Sequence, residues 1–397
     1  MSGAGENAPI NYSVLRALVV EDSPGMRNAL RITLSNFGIT TVQLAATASE
    51  AIYHIKLRPF DFILCDFNLG DGRDGQQLLE ELRHSNLISL DTVFIMVTAE
   101  SYYEKVVATA ELAPDDYMIK PFSPEVLCRR LENVLLRKRA FRAVYRHFMA
   151  NELEAAIEAC DALILNQAKY MVDALRFKGE LLVTLGRFEA AEALYQQVIT
   201  LRAIPWARLG LARSLHLQKK DEAAEEVLRD VVEQAPEMVA AYDLLTDVCQ
   251  AKKDDAGAQQ ALERGVAISA RTVRRQQRLG EVAHANGDLD TACIAFSSVL
   301  EKGRHSVFVT PGDFGNLCRV QVEQGNLDAA ADTLKKNKSA LQASPEGQLV
   351  MAVTQGMVHA KSGNAKEAGK ALDAAAGLRA SGVRGDARLM LDLAGTC

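Results

Sequence analysis

From residue 15 to about 136 the chain alternates short apolar runs with stretches in which apolar residues recur every three or four positions. The runs at 17–21, 62–66, 93–98 and 117–119 predict β-strands, with a weaker one near 42–44. The spacing between them predicts helices over 26–37, 49–57, 75–84 and 102–111, and from Pro124 onward. Five such units imply an α/β fold, a doubly wound five-stranded parallel sheet with helices on both faces. Sites in such sheets lie at the carboxyl ends of the strands, so the residues closing each run carry the chemistry.

Beyond Leu127 the pattern is wholly helical, and neither Gly nor Pro occurs between Glu125 and Lys178. Leu127, Leu131, Val134, Phe141, Tyr145 and Phe148 keep helical spacing, which predicts one unbroken amphipathic helix leading out of the α/β segment. A small residue followed four positions later by a bulky or apolar one recurs at Ala156/Cys160, Ala191/Tyr195, Ala224/Leu228, Ala258/Leu262, Ala292/Phe296, Ala330/Leu334 and Ala368/Leu372, in steps of 35, 33, 34, 34, 38 and 38. Turn signals precede most pairs, as at Gly186, Gly287, Gly325 and Gly363, and Pro205 and Pro236 close two units. A period near 34 predicts about seven helix-turn-helix units over 137–385, in an all-α solenoid. Residues 305–314 read as an inserted loop, 386–395 as a capping helix and 1–13 as a disordered tail.

Composition narrows the class. Hydrophobic residues make up 48%, charged residues 24% and aromatics 6% of 397 residues, which excludes a disordered or collagen-like chain. Apolar runs are far shorter than the ~20 residues of a membrane span, and the first residues lack a signal-peptide pattern, so a cytoplasmic location without membrane insertion is expected. Seven scattered cysteines with no CxxC pair suit reduced packing residues. The net charge of −6 is uneven: residues 1–136 hold 11 Lys and Arg against 18 Asp and Glu, and residues 137–397 hold 34 against 33. Neither part is basic, which argues against DNA as a partner.

The run ends converge chemically. The first strand ends in Glu21-Asp22, the third in Asp66 and the fourth in Thr98, and Lys120-Pro121 follows the fifth. Three carboxylates in one pocket repel unless a hard cation neutralises them, and an oxygen-only donor set suits Mg²⁺. The motifs ALVVEDS, FILCDFNLGDG, FIMVTAE and DYMIKPF, in this order, resemble the receiver domain of two-component response regulators over about 14–136, a flavodoxin-like fold. The resemblance implies Asp66 as phosphoacceptor. It implies Mg²⁺ on Glu21, Asp22, Asp66 and the backbone carbonyl of Asn68, with Thr98 and Lys120 on phosphoryl oxygens. Tyr117 would swing inward with Thr98, and the Lys120–Pro121 bond is commonly cis in such domains. Asn68 and Glu100 occupy the positions most often linked to phosphoryl lifetime. The loop FNLGDGRDG departs from the family by lacking a proline and being one residue longer, and its glycines Gly70, Gly72 and Gly75 can take the positive φ such a loop requires.

The second segment resembles tetratricopeptide repeats, which implies a concave surface for a peptide or helix of another protein. Candidate partner-binding residues on the first helices of the units are Arg176, Arg208, Arg213, Arg274, Arg275 and Arg278, the last three forming with Arg271 the strongest local positive patch. No DNA-binding or cyclic-dinucleotide output motif is present. The expected function is a non-enzymatic response regulator, phosphorylated on Asp66 by a histidine kinase and controlling protein binding through the repeats; a homodimer is compatible with it. The alternative is a phosphate sink or autophosphatase that drains a shared kinase. An RNA-binding reading rests on the arginine patch alone.

Overall fold

The computed structural model describes residues 9–70, 73–99, 114–166, 168–202, 204–269, 273–304, 306–385 and 389. The expected helix at 102–111, the capping helix at 386–395 apart from Leu389, and Gly72, Glu100 and Arg271 lie outside the described residues. Two compact units are present, Met1–Lys253 and Asp254–Cys397. Among the described residues no helix is long and apolar enough to cross a membrane.

The first unit begins with a five-stranded parallel sheet of β1 (Arg16–Val20), β2 (Thr41–Ala45), β3 (Phe62–Asp66), β4 (Val93–Thr98) and β5 (Asp116–Ile119), in the order β2-β1-β3-β4-β5. Register pairs Val20 with Ala45 and Cys65, Asp66 with Val97, and Thr98 with Ile119, which brings the run ends to one edge. Around the sheet lie α1 (Pro24–Asn36), α2 (Ala48–Leu57), α3 (Gly75–His84) and α4 (Pro124–Ala140). Each starts on a side-chain cap, Ser23, Thr47, Asp74 and Ser123 respectively, with proline at the first turn of α1 and α4.

Strand side chains alternate between two cores. Leu18, Val20, Ile63, Cys65, Phe94 and Met96 pack with Ile52 and Ile55 of α2 and Leu78, Leu79 and Leu82 of α3. Ala17, Val19, Phe62, Leu64, Ile95 and Val97 pack on Leu30 and Leu34 of α1 and Leu127, Leu131 and Val134 of α4. Burial on both faces explains why the strands read as apolar runs rather than as alternating patterns.

The helix after Pro124 is not one continuous rod. It stops at Ala140, Phe141 takes φ −84° and ψ 0°, and α5 (Arg142–Met149) follows. Backbone hydrogen bonds from Phe141 N–H to Arg137 O and from Tyr145 N–H to Phe141 O carry the chain across this step. The cause is packing: the Phe141 ring turns into the core of the first repeats, against Tyr145 and Tyr170.

The rest of the first unit consists of α6 (Leu153–Asn166), α7 (Met171–Thr184), α8 (Phe188–Leu201), α9 (Pro205–Leu217), α10 (Asp221–Gln234) and α11 (Val239–Ala251). The second unit holds α12 (Asp255–Ile268), α13 (Val273–Ala285), α14 (Leu289–Lys302), α15 (Pro311–Glu323), α16 (Leu327–Lys336), α17 (Lys338–Gln342), α18 (Pro345–Lys361) and α19 (Ala365–Ala380). The small residues Ala156, Ala191, Ala224, Ala258, Ala292, Ala330 and Ala368 are all buried. The bulky partners fill the space beside them. A Cβ added to Gly179 of α7 or Gly210 of α9 would come within 2.4 Å of the Tyr195 side chain, and one at Gly280 within 2.6 Å of Phe296. Asn151, Gly186, Lys219, Lys253, Gly287, Gly325 and Gly363 have positive φ, in the same sequence steps as the alanines, and each follows a helix in the left-handed conformation that closes helices.

The insertion is shorter than the sequence suggested. Thr310 and Asp313 form a capping box and Pro311 opens α15, so residues 311–314 are helical. Val309 packs where a Cβ on Gly303 would sit, and the Phe308 carbonyl accepts from Gln277 at 3.0 Å.

Candidate functional site

The strand ends bring the expected residues together. Glu21 follows β1 and its N–H donates to Ala45 O at 3.1 Å, Asp66 closes β3, and Lys120 donates its N–H to Thr98 O at 2.7 Å at the end of β4. The Lys120–Pro121 bond is cis. The Lys120 ammonium donates to Glu21 Oε2 at 2.8 Å and to Asp66 Oδ2 at 3.0 Å. Carboxylate oxygens of Glu21, Asp22 and Asp66 lie within 4.8 Å of one another. Glu21 is 2% exposed and Asp66 8%, whereas Asp22 is open to solvent. The pocket therefore has a buried wall and an accessible mouth.

Its electrostatics follow from burial. Desolvation pushes the Glu21 carboxyl above its ordinary value; the Lys120 hydrogen bond opposes this and the Asp66 charge adds to it. Burial alone would lower Lys120, but hydrogen bonds and charges from Glu21 and Asp66 outweigh it and hold the ammonium above its ordinary value. One cation thus offsets only part of three carboxylates. An all-oxygen set with residual negative charge fits a hard divalent cation such as Mg²⁺, with Glu21, Asp22 and Asp66 as the side-chain donors.

Several supporting residues escaped the sequence reading. Arg27 of α1 donates to the backbone carbonyls of Glu21 and, at 3.2 Å, of Asp22, so α1 holds the acidic pair from behind. Gly75 opens α3 with its N–H on Phe67 O at 2.8 Å. A Cβ there would lie 2.3 Å from Asp66 O and 3.0 Å from Met96 Sδ. Gly75 is thus required for room and not for positive φ, whereas Gly70 does have φ +73°. Arg73 pairs with Glu81 of α3 and donates to Ser49 Oγ of α2 at 2.9 Å, linking the residues just before α3 to α2.

Thr98 is buried at the end of β4 beside this pocket, and Tyr117 is half-buried against the core beneath α3 with Leu87 and Ile88. Asn68 is exposed on the loop after Asp66. The arginines are scattered. Arg176 is exposed and pairs with Glu180 at 3.5 Å, Arg208 donates to Gln234 at 2.6 Å, and Arg213 is exposed. Arg274 stacks on Phe308 of the insertion, 4.0 Å from its centroid, and Arg278 is half-buried. Arg275 is 4% exposed, which corrects its place among surface candidates: its position on α13 faces the interior. Among the described residues, therefore, Arg274 is the exposed arginine of this stretch and Arg275 is not part of its surface.

A family model described as the response regulator receiver domain matches residues 17–132, and tetratricopeptide-repeat models match 141–205, 178–239 and 315–336. The chain is 28% identical over 123 residues to chemotaxis protein CheY-3 of Vibrio cholerae serotype O1, covering 31% of this chain and 93% of that protein. It is equally identical over 123 residues to CheY of Pseudomonas aeruginosa, covering 98% of it. Among solved structures, CheY4 of Vibrio cholerae aligns at 28% identity over 30% of this chain and 98% of its own, with a TM-score of 0.29. A double mutant of MamA RS-1 aligns at 25% identity over 41% of this chain and 93% of its own, with a TM-score of 0.36. With the pocket formed at the strand ends and the paired helices that follow, the chain carries a response regulator receiver domain at its N-terminus followed by tetratricopeptide repeats.

Proposed function

We propose that this protein is a phosphorylation-controlled adaptor, in which a histidine kinase transfers a phosphoryl group to Asp66 and the repeats bind or release another protein. The observation that carries the reading is the Lys120 ammonium shared between Glu21 and Asp66 beside Asp22. An Asp66 carboxylate oxygen attacks phosphorus, the O–P bond forms as the bond to the donor nitrogen breaks, and an acyl phosphate results. Water attack on that phosphorus releases inorganic phosphate and regenerates the carboxylate.

Phosphoryl transfer asks mainly for positioning and charge neutralisation. Mg²⁺ held by Glu21, Asp22, Asp66 and the Asn68 carbonyl supplies charge compensation for the phosphoryl oxygens when bound. Lys120 is placed to donate to a further oxygen, and the Thr98 hydroxyl donates to another at the edge of the pocket. The chain modifies itself and turns over no external metabolite. The helices with buried alanines supply a docking surface rather than a reaction centre.

Incubation with acetyl phosphate and Mg²⁺ should label the protein with an alkali-labile, hydroxylamine-sensitive phosphoryl group, and Asp66→Asn should abolish the label. Persistent labelling of that variant would overturn the assignment. Capture of a protein partner by the full chain should then depend on whether Asp66 is loaded.

A further inference from the structure

At the end of the sheet remote from Asp66, a buried ion pair joins the receiver to the first repeat. Lys138, near the end of α4, is 7% exposed. Its ammonium lies 2.8 Å from Asp115 Oδ1, donates to the Leu90 carbonyl, and sits 5.4 Å from the centroid of the Tyr145 ring of α5. Asp115, just before β5, is itself fixed on β4: its N–H donates to Phe94 O at 2.7 Å and its Oδ2 accepts the Phe94 N–H at 2.9 Å. Arg137 donates to the Asp115 carbonyl at 3.1 Å. Tyr145 continues the path, edge-on to Phe177 of α7 at 5.8 Å and stacked on Phe141 at 5.8 Å.

Burying an ammonium is costly unless its partners are held in place. Here every partner comes from a different piece of chain: the loop before β4, the residue before β5, and α5. Two stiff rods also run from the Asp66 pocket to this point. β4 has Thr98 at the pocket end and Phe94 near the other. Meanwhile α4 starts four residues after Lys120 and ends two after Lys138, about 25 Å for a helix of its length. A shift at either rod's pocket end reaches Lys138 with little room to dissipate, because packed elements move as units.

We propose that Lys138 is the latch through which the state of the Asp66 pocket reaches the repeats, by holding Tyr145 of α5 to the Asp115–Phe94 edge of the receiver. The inference rests on the reading of Asp66 as phosphoacceptor. Lys138 is a positioning residue, acting through Asp115 and Tyr145 and touching no phosphoryl group.

Hydrogen exchange of the α5 amides in the full chain, with and without beryllofluoride and Mg²⁺ as the phosphoryl stand-in, tests it. Loading should change wild-type α5 exchange at least threefold. Lys138→Met, close in length and uncharged, should label with acetyl phosphate within twofold of wild type yet lose the α5 response. Asp115→Asn should behave likewise, and Lys138→Arg should recover the response. A residue that merely holds the fold together would speed α5 exchange in Lys138→Met while leaving the response to loading intact, and that result overturns the latch. An unresponsive wild-type α5 despite normal labelling also overturns it. Absence of labelling in the wild-type chain would fall instead on the phosphoacceptor reading.

Discussion

At the scale of single residues, the pocket is set by how closely its backbone can approach. Glu21, Asp22, Asp66 and Lys120 were legible because each ends an apolar run, and parallel pairing then fixes where run ends meet. Gly75 was legible only as a loop glycine. Its real constraint is the 2.3 Å between a would-be Cβ and the Asp66 carbonyl, a tertiary contact that no local pattern encodes. Gly75→Ala should displace that carbonyl, slow acetyl-phosphate labelling at least tenfold and lower stability by about 1–3 kcal/mol, as overpacking does. Gly25→Ala, with nothing within 4 Å, should leave labelling unchanged in the same assay. A second residue-scale expectation concerns alkali. Burial pushes Tyr145 and Tyr195 up to about 12, so between pH 10 and 12 the folded state keeps protons that the unfolded state has lost. Their contribution is complete below pH 10 and is lost as pH rises through 12. Lys138, held below its ordinary value by burial despite Asp115 and beside Arg137 and Arg83, acts in the opposite sense. The two phenols should therefore show as a fall in urea midpoint above pH 10, reduced in Tyr195→Phe.

At the scale of elements, periodicity served well where burial is one-sided and poorly where a helix must change partners. The alanine spacing located the repeats because small residues are what close helix approach demands. The turn pattern was seen only where it is glycine, although Asn151, Lys219 and Lys253 occupy the same left-handed position. A side chain there is strained relative to glycine, so sequence alone gave no turn signal at the lysines. Lys219→Gly should relieve that strain. Because glycine also makes the unfolded chain more flexible, the net gain should be modest, about 0.5–1 kcal/mol in a urea titration. The interruption at Phe141 was illegible for a related reason. Residues 137–148 keep helical spacing throughout, but Leu127, Leu131 and Val134 pack in the receiver core while the ring of Phe141 settles into the repeat core. Burial of Arg275 has the same origin: its position on α13 faces the interior, whereas its neighbour Arg274 stays exposed and stacks on Phe308.

At the scale of the molecule, the 34-residue period gives no hint of a division, yet the chain separates after Lys253 into two compact units. In a repeat array stability is built up from each repeat and its neighbours, so long arrays need not unfold in a single step. The latch, the pocket and the first repeats all belong to Met1–Lys253. Heating should therefore give two transitions. Ala224→Leu, which overfills a buried site in the first unit, should lower one midpoint, and Ala292→Leu should lower the other. Beryllofluoride with Mg²⁺ binds only a folded pocket, and at a hundredfold excess over its Kd it should add about 2.7 kcal/mol to the first unit. For a unit of this size that raises its midpoint by roughly 5–10 °C. The second midpoint should stay where it was. Joint movement of both midpoints would mean that loading is felt along the whole array. A partner gripped by Asp254–Cys397 would then be under direct control of Asp66, whereas separate movement confines that control to partners touching the first unit.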